Sequence, residues 1–467
     1  MKTRALMAAG MLLVATAVAG CSADTGTPPK DPQGTAKKPV KLTFMAYGAA
    51  EEVEALKGTV AQFNEDNPKV KVSFKAVDNE QSVVRALRSE TPPDIYLLSR
   101  QDLGTVVSDK LNQPLDELLA ARDVAFGDDY KRDALMAFSE EGRLQCMPYA
   151  VSPMVIYFNT NLIDWAAMRE AELPTPRSHA FWTFGQFAAA AEFAAGRPGA
   201  KGVHIDPTLE GIAPFIYSGG GELFDDPKQP TSLTLSAETD REALAEVLDV
   251  LRNNQLTPTP KQLAKMDALE RFKTGKLGMI AGYRNLVPEL RKTPSLQFDV
   301  MPMPAIDNER TIGDVKGLCL SASASSTSAA ADFVVHAMAP ESVSEVAKAG
   351  YLVPASNEVA ESDAFLQRDQ LPAHAEVFNR SVRDIVTPPA LEVWGDLEQL
   401  LAPHLHQLFY ARVLEDLQAA TEEVDELSRT VLAPVEESPS QSPSTGATTD
   451  PSSDPSDDSA SSPTPSG

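Results

Sequence analysis

Arg100, Arg284 and Lys316 would suit charge-assisted hydrogen bonds to a carboxylate or phosphate if the fold brought them together. The alternative for each is a salt bridge or a solvated surface position. His404 and His406 stand two apart, which on a helix puts them on different faces, so no metal site is assigned. The chain has no His-Glu-x-x-His, no Gly-x-Ser-x-Gly and no Gly-x-x-x-x-Gly-Lys-Ser/Thr. Its many Asp and Glu residues leave a glycosidase-type carboxylate pair open without pointing to one. No catalytic residue and no cofactor is assigned, and the expected chemistry is binding. Cys146 and Cys319 are either a disulfide or two buried thiols.

The elements that must position these residues alternate in type. Residues 40–47 alternate like a strand, 51–64 have helical periodicity, 70–77 alternate again, 81–89 read as a helix, and Asp94-Ile95-Tyr96-Leu97-Leu98 is an apolar strand. That order predicts a parallel sheet of the α/β class. Ligands of such sheets lie beyond the carboxyl ends of the strands, which singles out Tyr47, Asp78, Ser99 and Arg100. Asp78 is equally suited to a helix N-cap, and Gly48 and Asn79 to turns. A second α/β region opens with the strand 154–159 and continues through helices near 184–195, 210–217, 238–253 and 266–274. Strands follow at 277–282, 298–301 and 315–321, and the remainder to about Leu432 reads as helical.

The 467 residues carry a formal charge of −25, six of the acidic residues falling in the tail from Glu436 onward. An acidic body excludes nucleic acid as an expected partner, since phosphate binding needs a basic surface. Residues 1–20 have a basic start, an apolar run from Ala5 to Ala19 and small residues before Cys21, the layout of a signal peptide; the run is shorter than the roughly 20 residues that span a bilayer. Val18-Ala19-Gly20-Cys21 resembles a bacterial lipobox, which implies a diacylglyceryl group on Cys21. At about 0.8 kcal/mol per buried CH₂, acyl chains would hold the mature protein on the membrane. A secreted chain with a cysteine near an ordinary cleavage site is the alternative. Residues 21–40 read as a flexible tether and 433–467, rich in Ser, Pro and Asp, as a disordered tail. Roughly 390 residues remain between them, enough for two lobes.

Several segments, in order, resemble the extracellular solute-binding proteins of ABC importers, in the carbohydrate-type group that includes the maltose-binding protein. They include Phe44-Met45-Ala46-Tyr47, Phe63-Asn64-Glu65-Asp66-Asn67-Pro68, Thr91-Pro92-Pro93-Asp94-Ile95-Tyr96 and Met147-Pro148-Tyr149-Ala150-Val151-Ser152-Pro153. Trp182-Thr183-Phe184-Gly185-Gln186-Phe187, Gly219-Gly220-Gly221-Glu222-Leu223-Phe224-Asp225, Phe272-Lys273-Thr274-Gly275-Lys276-Leu277-Gly278 and Ala349-Gly350-Tyr351-Leu352-Val353-Pro354 complete the set. The resemblance implies a two-lobed α/β fold with a ligand cleft and three crossovers, near Tyr149–Pro153, near Gly282 and near Gly313–Gly317. The expected lobes are 41–149 with 282–314, and 150–281 with 315–432. It implies a monomeric receptor for a small solute, most readily a sugar, that serves an ABC importer permease from the outer face of the cell membrane. By carry-over, contacts are expected from Tyr47, Glu51, Asp78, Ser99, Arg100, Tyr149, Ser152, Gly220, Glu222, Tyr283, Arg284, Asp314, Tyr351 and Trp394. Trp394 follows Thr387-Pro388-Pro389 as the family pattern has it, whereas Tyr283-Arg284 stands where Gly-Pro-Trp is common. Trp182 fits a structural helix start and Trp165 lobe packing. Aromatics are only 6% of the chain. Sugars are gripped by aromatic faces together with carboxylate and amide hydrogen bonds, so the departure at Tyr283-Arg284 leaves two alternatives: an anionic solute such as a glycerophosphodiester, or a degenerate fold that serves as a surface interaction protein.

Overall fold

The computed structural model describes residues 31–32, 34–127 and 129–433. The signal peptide, Cys21, the first part of the expected tether and the tail from 434 onward lie outside the described residues. In chain order the strands are β1 (Val40–Ala46), β2 (Val70–Ala76), β3 (Ile95–Ser99), β4 (Asn112–Gln113), β5 (Ser139–Glu140), β6 (Arg143–Leu144), β7 (Met147–Pro153), β8 (Val155–Asn159), β9 (Lys201–His204), β10 (Leu277–Gly282), β11 (Phe298–Pro302) and β12 (Gly313–Ser321). One sheet runs β2-β1-β3-β12-β4 with β7 also paired to β12; a second runs β11-β8-β10-β9; β5 and β6 form a short ribbon.

In the first sheet the 40–46 segment buries Leu42, Phe44, Met45 and Ala46. The helix Ala50–Asp66 lays Leu56, Val60 and Phe63 along one stripe, the i, i+4, i+7 spacing of an amphipathic helix. Phe44 meets Phe74 and Phe333 at 5.4 and 5.2 Å, and Phe63 meets Phe333 edge-on. β1 pairs with β2 and β3 in parallel, as βαβ units require. β12, however, runs antiparallel to β3, β4 and β7, so the sheet is mixed and not purely parallel. In the second sheet, the alanine-rich helix Phe184–Ala195 approaches β9 and β10 closely. A Cβ on Gly202 would lie 2.2 Å from the Ala191 carbonyl oxygen and one on Gly278 2.6 Å from the Ala194 Cβ, so both positions demand glycine. That helix begins with a Thr183/Gln186 capping box, and the indole N–H of buried Trp182 just before it donates to the Pro302 carbonyl at 2.8 Å. Trp165 packs on Phe158 and Trp182.

The expected lobe boundaries need correction. β10 and β11 both lie in the second sheet, where five residues of β11 pair with β8, so the chain does not leave that sheet at Gly282. β12 belongs to the first sheet, and the helices Thr327–Met338 and Pro340–Ala347 that follow it pack on the helix Ala50–Asp66. Residues from Gly313 therefore return to the first lobe, the helix Glu376–Ser381 lies between β7 and β11, and the helices Trp394–Tyr410 and Leu417–Leu432 join the second lobe against Glu238–Leu251. The physical reason is strand pairing: β12 finds its ladder between β3 and β7, which no local pattern announces. The tether reading also changes in its described part. Thr35 and Lys38 exchange backbone hydrogen bonds, and Asp31 accepts the Ser328 N–H at the start of the helix Thr327–Met338. Cys146 and Cys319, 173 residues apart, are joined in a disulfide that ties the residue ahead of β7 to the middle of β12.

Candidate functional site

The strand ends of the first sheet and the helix starts of the second region face each other across a cavity of about 210 Å³. From the first side come Glu80, Ser99, Arg100 and Gln101, with Asp314 and Lys316 on β12. From the second come Glu210 on the helix Leu209–Ser218, Tyr283 just after β10, the segment Thr387–Pro389 and Trp394, the first residue of its helix. Gln101 Nε2 donates to Glu210 Oε1 at 3.3 Å, a hydrogen bond that spans the two sides.

Local rules explain most placements. Asn79 caps the helix Glu80–Leu87 by accepting the Ser82 N–H at 3.0 Å, which sets Glu80 as the first helical residue and turns it to the cavity. Asp78, one residue earlier, is exposed and does not line the cavity. Arg100 opens a 3₁₀ turn directly after β3. Its Nε and Nη1 atoms, at the cavity wall, are buried without a hydrogen-bond partner among the described residues. Buried polar groups are nearly always satisfied, so such atoms at a cavity wall mark a place where a bound molecule completes the hydrogen bonds.

Electrostatically the cavity is acidic. Lys316 Nζ lies 3.1 Å from Asp314 and 5.4 Å from the Tyr47 ring centroid. Burial works to lower the Lys316 pKa, but Asp314 and Glu52 outweigh it and hold the ammonium above its ordinary value. Burial pushes Glu210 up to about 7, with Glu398 and Asp314 adding to the shift. Burial likewise raises Glu80, helped by Asp314, and lifts Asp102 to about 6, helped by Glu80. Two cations, Arg100 and Lys316, thus face Glu80, Glu210 and Asp314, with Asp102, Glu52 and Glu398 close behind.

A profile of the bacterial extracellular solute-binding proteins matches residues 58–373. This chain belongs to that family. Among solved structures, an ABC substrate-binding protein from Listeria monocytogenes in complex with cycloalternan aligns with a TM-score of 0.71 at 18% identity, over 84% of this chain and 99% of the other. UspC of M. tuberculosis aligns with a TM-score of 0.67 at 13% identity, over 84% and 100%. The maltose-maltodextrin binding protein of Alicyclobacillus acidocaldarius gives 0.65 at 18% identity, over 83% and 100%. At these identities the likeness concerns the fold: two α/β lobes as in the periplasmic binding proteins.

Of the residues expected at a solute-binding protein's cleft, Ser99, Arg100, Tyr283, Asp314 and Trp394 line the cavity together. Tyr47 stands behind Lys316. Tyr149 and Ser152 are buried in β7, with Ser152 opposite Asp314 in the ladder. The remaining expected residues lie outside this cavity's lining. Arg284 is fully buried: its guanidinium donates to the carbonyls of Gly350 and Phe365 at 3.2 and 3.1 Å and lies over the rings of Phe365 and Phe378. It holds the seam between the second sheet and the segment returning from the first, and the three cations do not converge. Glu51 accepts from the Tyr351 hydroxyl at 2.9 Å and lies 3.7 Å from Lys292, so Glu51 and Tyr351 engage each other outside the cavity. Gly220 has a left-handed φ of +84° in the turn after the helix Leu209–Ser218. Exposed Glu222 follows it, its backbone N–H donating to Asp240, and neither lines the cavity. Sequence reasoning missed Glu80, Gln101 and Glu210. Glu80 stands two residues beyond the expected contact Asp78 and Gln101 one beyond Arg100; Glu210 carries no local signal.

Proposed function

We propose that the protein is the lipid-anchored receptor of an ABC importer and that its solute is a neutral sugar or oligosaccharide. The observation that carries this reading is the makeup of the cavity: Trp394 and Tyr283 supply flat apolar faces, while Glu80, Asp314, Glu210 and the open donors of Arg100 supply acceptors and donors for hydroxyl groups. The acidic balance disfavours a phosphate or carboxylate solute, and with Arg284 withdrawn into the core an anion loses one of its three expected partners. Family membership and the sugars named for similar proteins, cycloalternan among them, support the same class. The role is binding and delivery without turnover. Solute held by both sides would favour the closed arrangement that the Gln101–Glu210 bond already spans. Lipidation rests on Cys21 and its leader.

Isothermal titration of the full chain with neutral malto- and cyclic oligosaccharides, beside glycerophosphocholine, tests the reading. Saturable binding of a neutral sugar, with a smaller radius of gyration on saturation, is expected. Binding of the glycerophosphodiester alone, or of no solute, would replace this reading with the anionic or the degenerate alternative. Incorporation of a fatty-acid analogue that disappears in Cys21→Ser tests the anchor.

A further inference from the structure

Away from the cavity, His179, Asp299 and His374 come together from three separate parts of the chain. His179 lies in the loop ahead of Trp182, Asp299 on β11, and His374 two residues before the helix Glu376–Ser381. His374 Nδ1 is 2.6 Å from Asp299 Oδ2 and His179 Nε2 is 3.7 Å from the same oxygen. All three donor atoms lie within 4.8 Å of one another. The two imidazoles stack with centroids 3.6 Å apart and planes 8° from parallel.

The cluster is built and not incidental. Asp299 Oδ1 accepts the backbone N–H groups of Val300 and His374 at 3.0 and 3.1 Å, which fixes the carboxylate and leaves Oδ2 directed at the imidazole nitrogens. Metal sites hold their carboxylates in this way, through outer hydrogen bonds that set the orientation of the ligating atom. Asp299 is buried while both histidines keep partial exposure, so an ion has a route in. Tetrahedral zinc with bonds of about 2.0–2.2 Å would hold its donors roughly 3–3.5 Å apart, so the two stacked rings would tilt out of parallel to aim one nitrogen each at a shared ion.

We propose that His179, Asp299 and His374 form a binding site for a divalent transition metal, of which Zn²⁺ fits the donor set best. Water or the nearby Glu376, whose charge acts on His179, would complete the coordination. The ion would take the place of the His374–Asp299 contact and would clamp the segment at 374 to the second sheet. The site is independent of the solute cavity, none of whose lining residues it uses.

The test uses the full chain, prepared without a polyhistidine tag, stripped with EDTA and titrated with ZnCl₂, and separately with CoCl₂ under visible absorption. One Zn²⁺ per chain is expected, together with the intense d–d bands of four- or five-coordinate Co²⁺. His179→Ala and His374→Ala should each weaken binding by more than the roughly 10–100-fold typical of outer-shell changes, with His404→Ala unchanged. Absence of saturable binding at millimolar Zn²⁺, weak octahedral Co²⁺ bands, or full affinity in the two His variants would each reduce the trio to a hydrogen-bonded structural cluster. The Co²⁺ spectrum of the unmodified chain keeps the proposal testable if a variant fails to fold.

Discussion

The cavity and the seam behind it each contain an arginine, and the two are used in opposite ways. Arg100 sits at the cavity wall with Nε and Nη1 unengaged, whereas Arg284 donates through Nε and Nη2 to two carbonyls, lies over two phenylalanine rings and leaves Nη1 unpaired among the described residues. Both are cations after apolar strands. The difference is in what surrounds them: a strand end that opens onto a second lobe leaves polar atoms facing a cavity, while a strand end roofed by another segment engages most of them with that segment's carbonyls and rings. Unsatisfied polarity at a wall signals recognition, and satisfied polarity in a core signals architecture.

The sharpest way to break this contrast is to remove Arg284. Arg284→Ala should lower unfolding stability by about 3 kcal/mol or more, through the cavity and the two orphaned carbonyls it leaves, read by urea denaturation; a stability near wild type would place Arg284 outside the core's needs. Trp394→Ala should weaken sugar binding by about 2 kcal/mol, roughly thirtyfold, as for an aromatic anchor at a binding centre, with little change in melting temperature. Arg100→Met should weaken the same binding at least about tenfold, the worth of a charge-assisted hydrogen bond, while unfolding stability stays level or rises. A loss of stability with affinity intact would make Arg100 a second Arg284.

Glu210 sharpens the comparison through pH. Its folded-state pKa is raised from the ordinary 4.5 to about 7, so the folded protein holds the proton more tightly than the unfolded chain. That contribution is fully present below the ordinary value and is lost as pH rises through about 7. Glu210→Gln should therefore melt higher than wild type above pH 7, with the gap closing toward acid, in melting curves recorded across the range. A constant gap would remove Glu210 from the acidic cluster. Smallest of all, Asp78→Asn, on an exposed side chain outside the cavity, should alter neither stability nor affinity by more than about 0.5 kcal/mol.

Local patterns predicted the elements well where a pattern existed. The alternation of 40–47 and 70–77, the helical stripe after Glu51 and the apolar runs at 94–98 and 154–159 all became the strands and helices they announced. β4, β9 and the ribbon of β5 and β6 were too short to show a period. The strand-end rule found Ser99 and Arg100 and missed Glu80 by two positions, because Asn79, expected in a turn, and not Asp78 caps the helix. Glu210 was out of its reach, being opposed to Gln101 only by the meeting of two lobes.

Residue order by itself determined the α/β class, the acidic body and the family to which the chain belongs, because these depend on composition, periodicity and short motifs. Tertiary structure decided the rest: that Cys146 meets Cys319, that β12 inserts antiparallel beside β3, that Arg284 turns inward, and that His179, Asp299 and His374 gather around one oxygen. Each of these is a contact between segments far apart in the chain. Such contacts are selected by which surfaces can pack and which polar groups must be satisfied together, and no window of neighbouring residues contains that information.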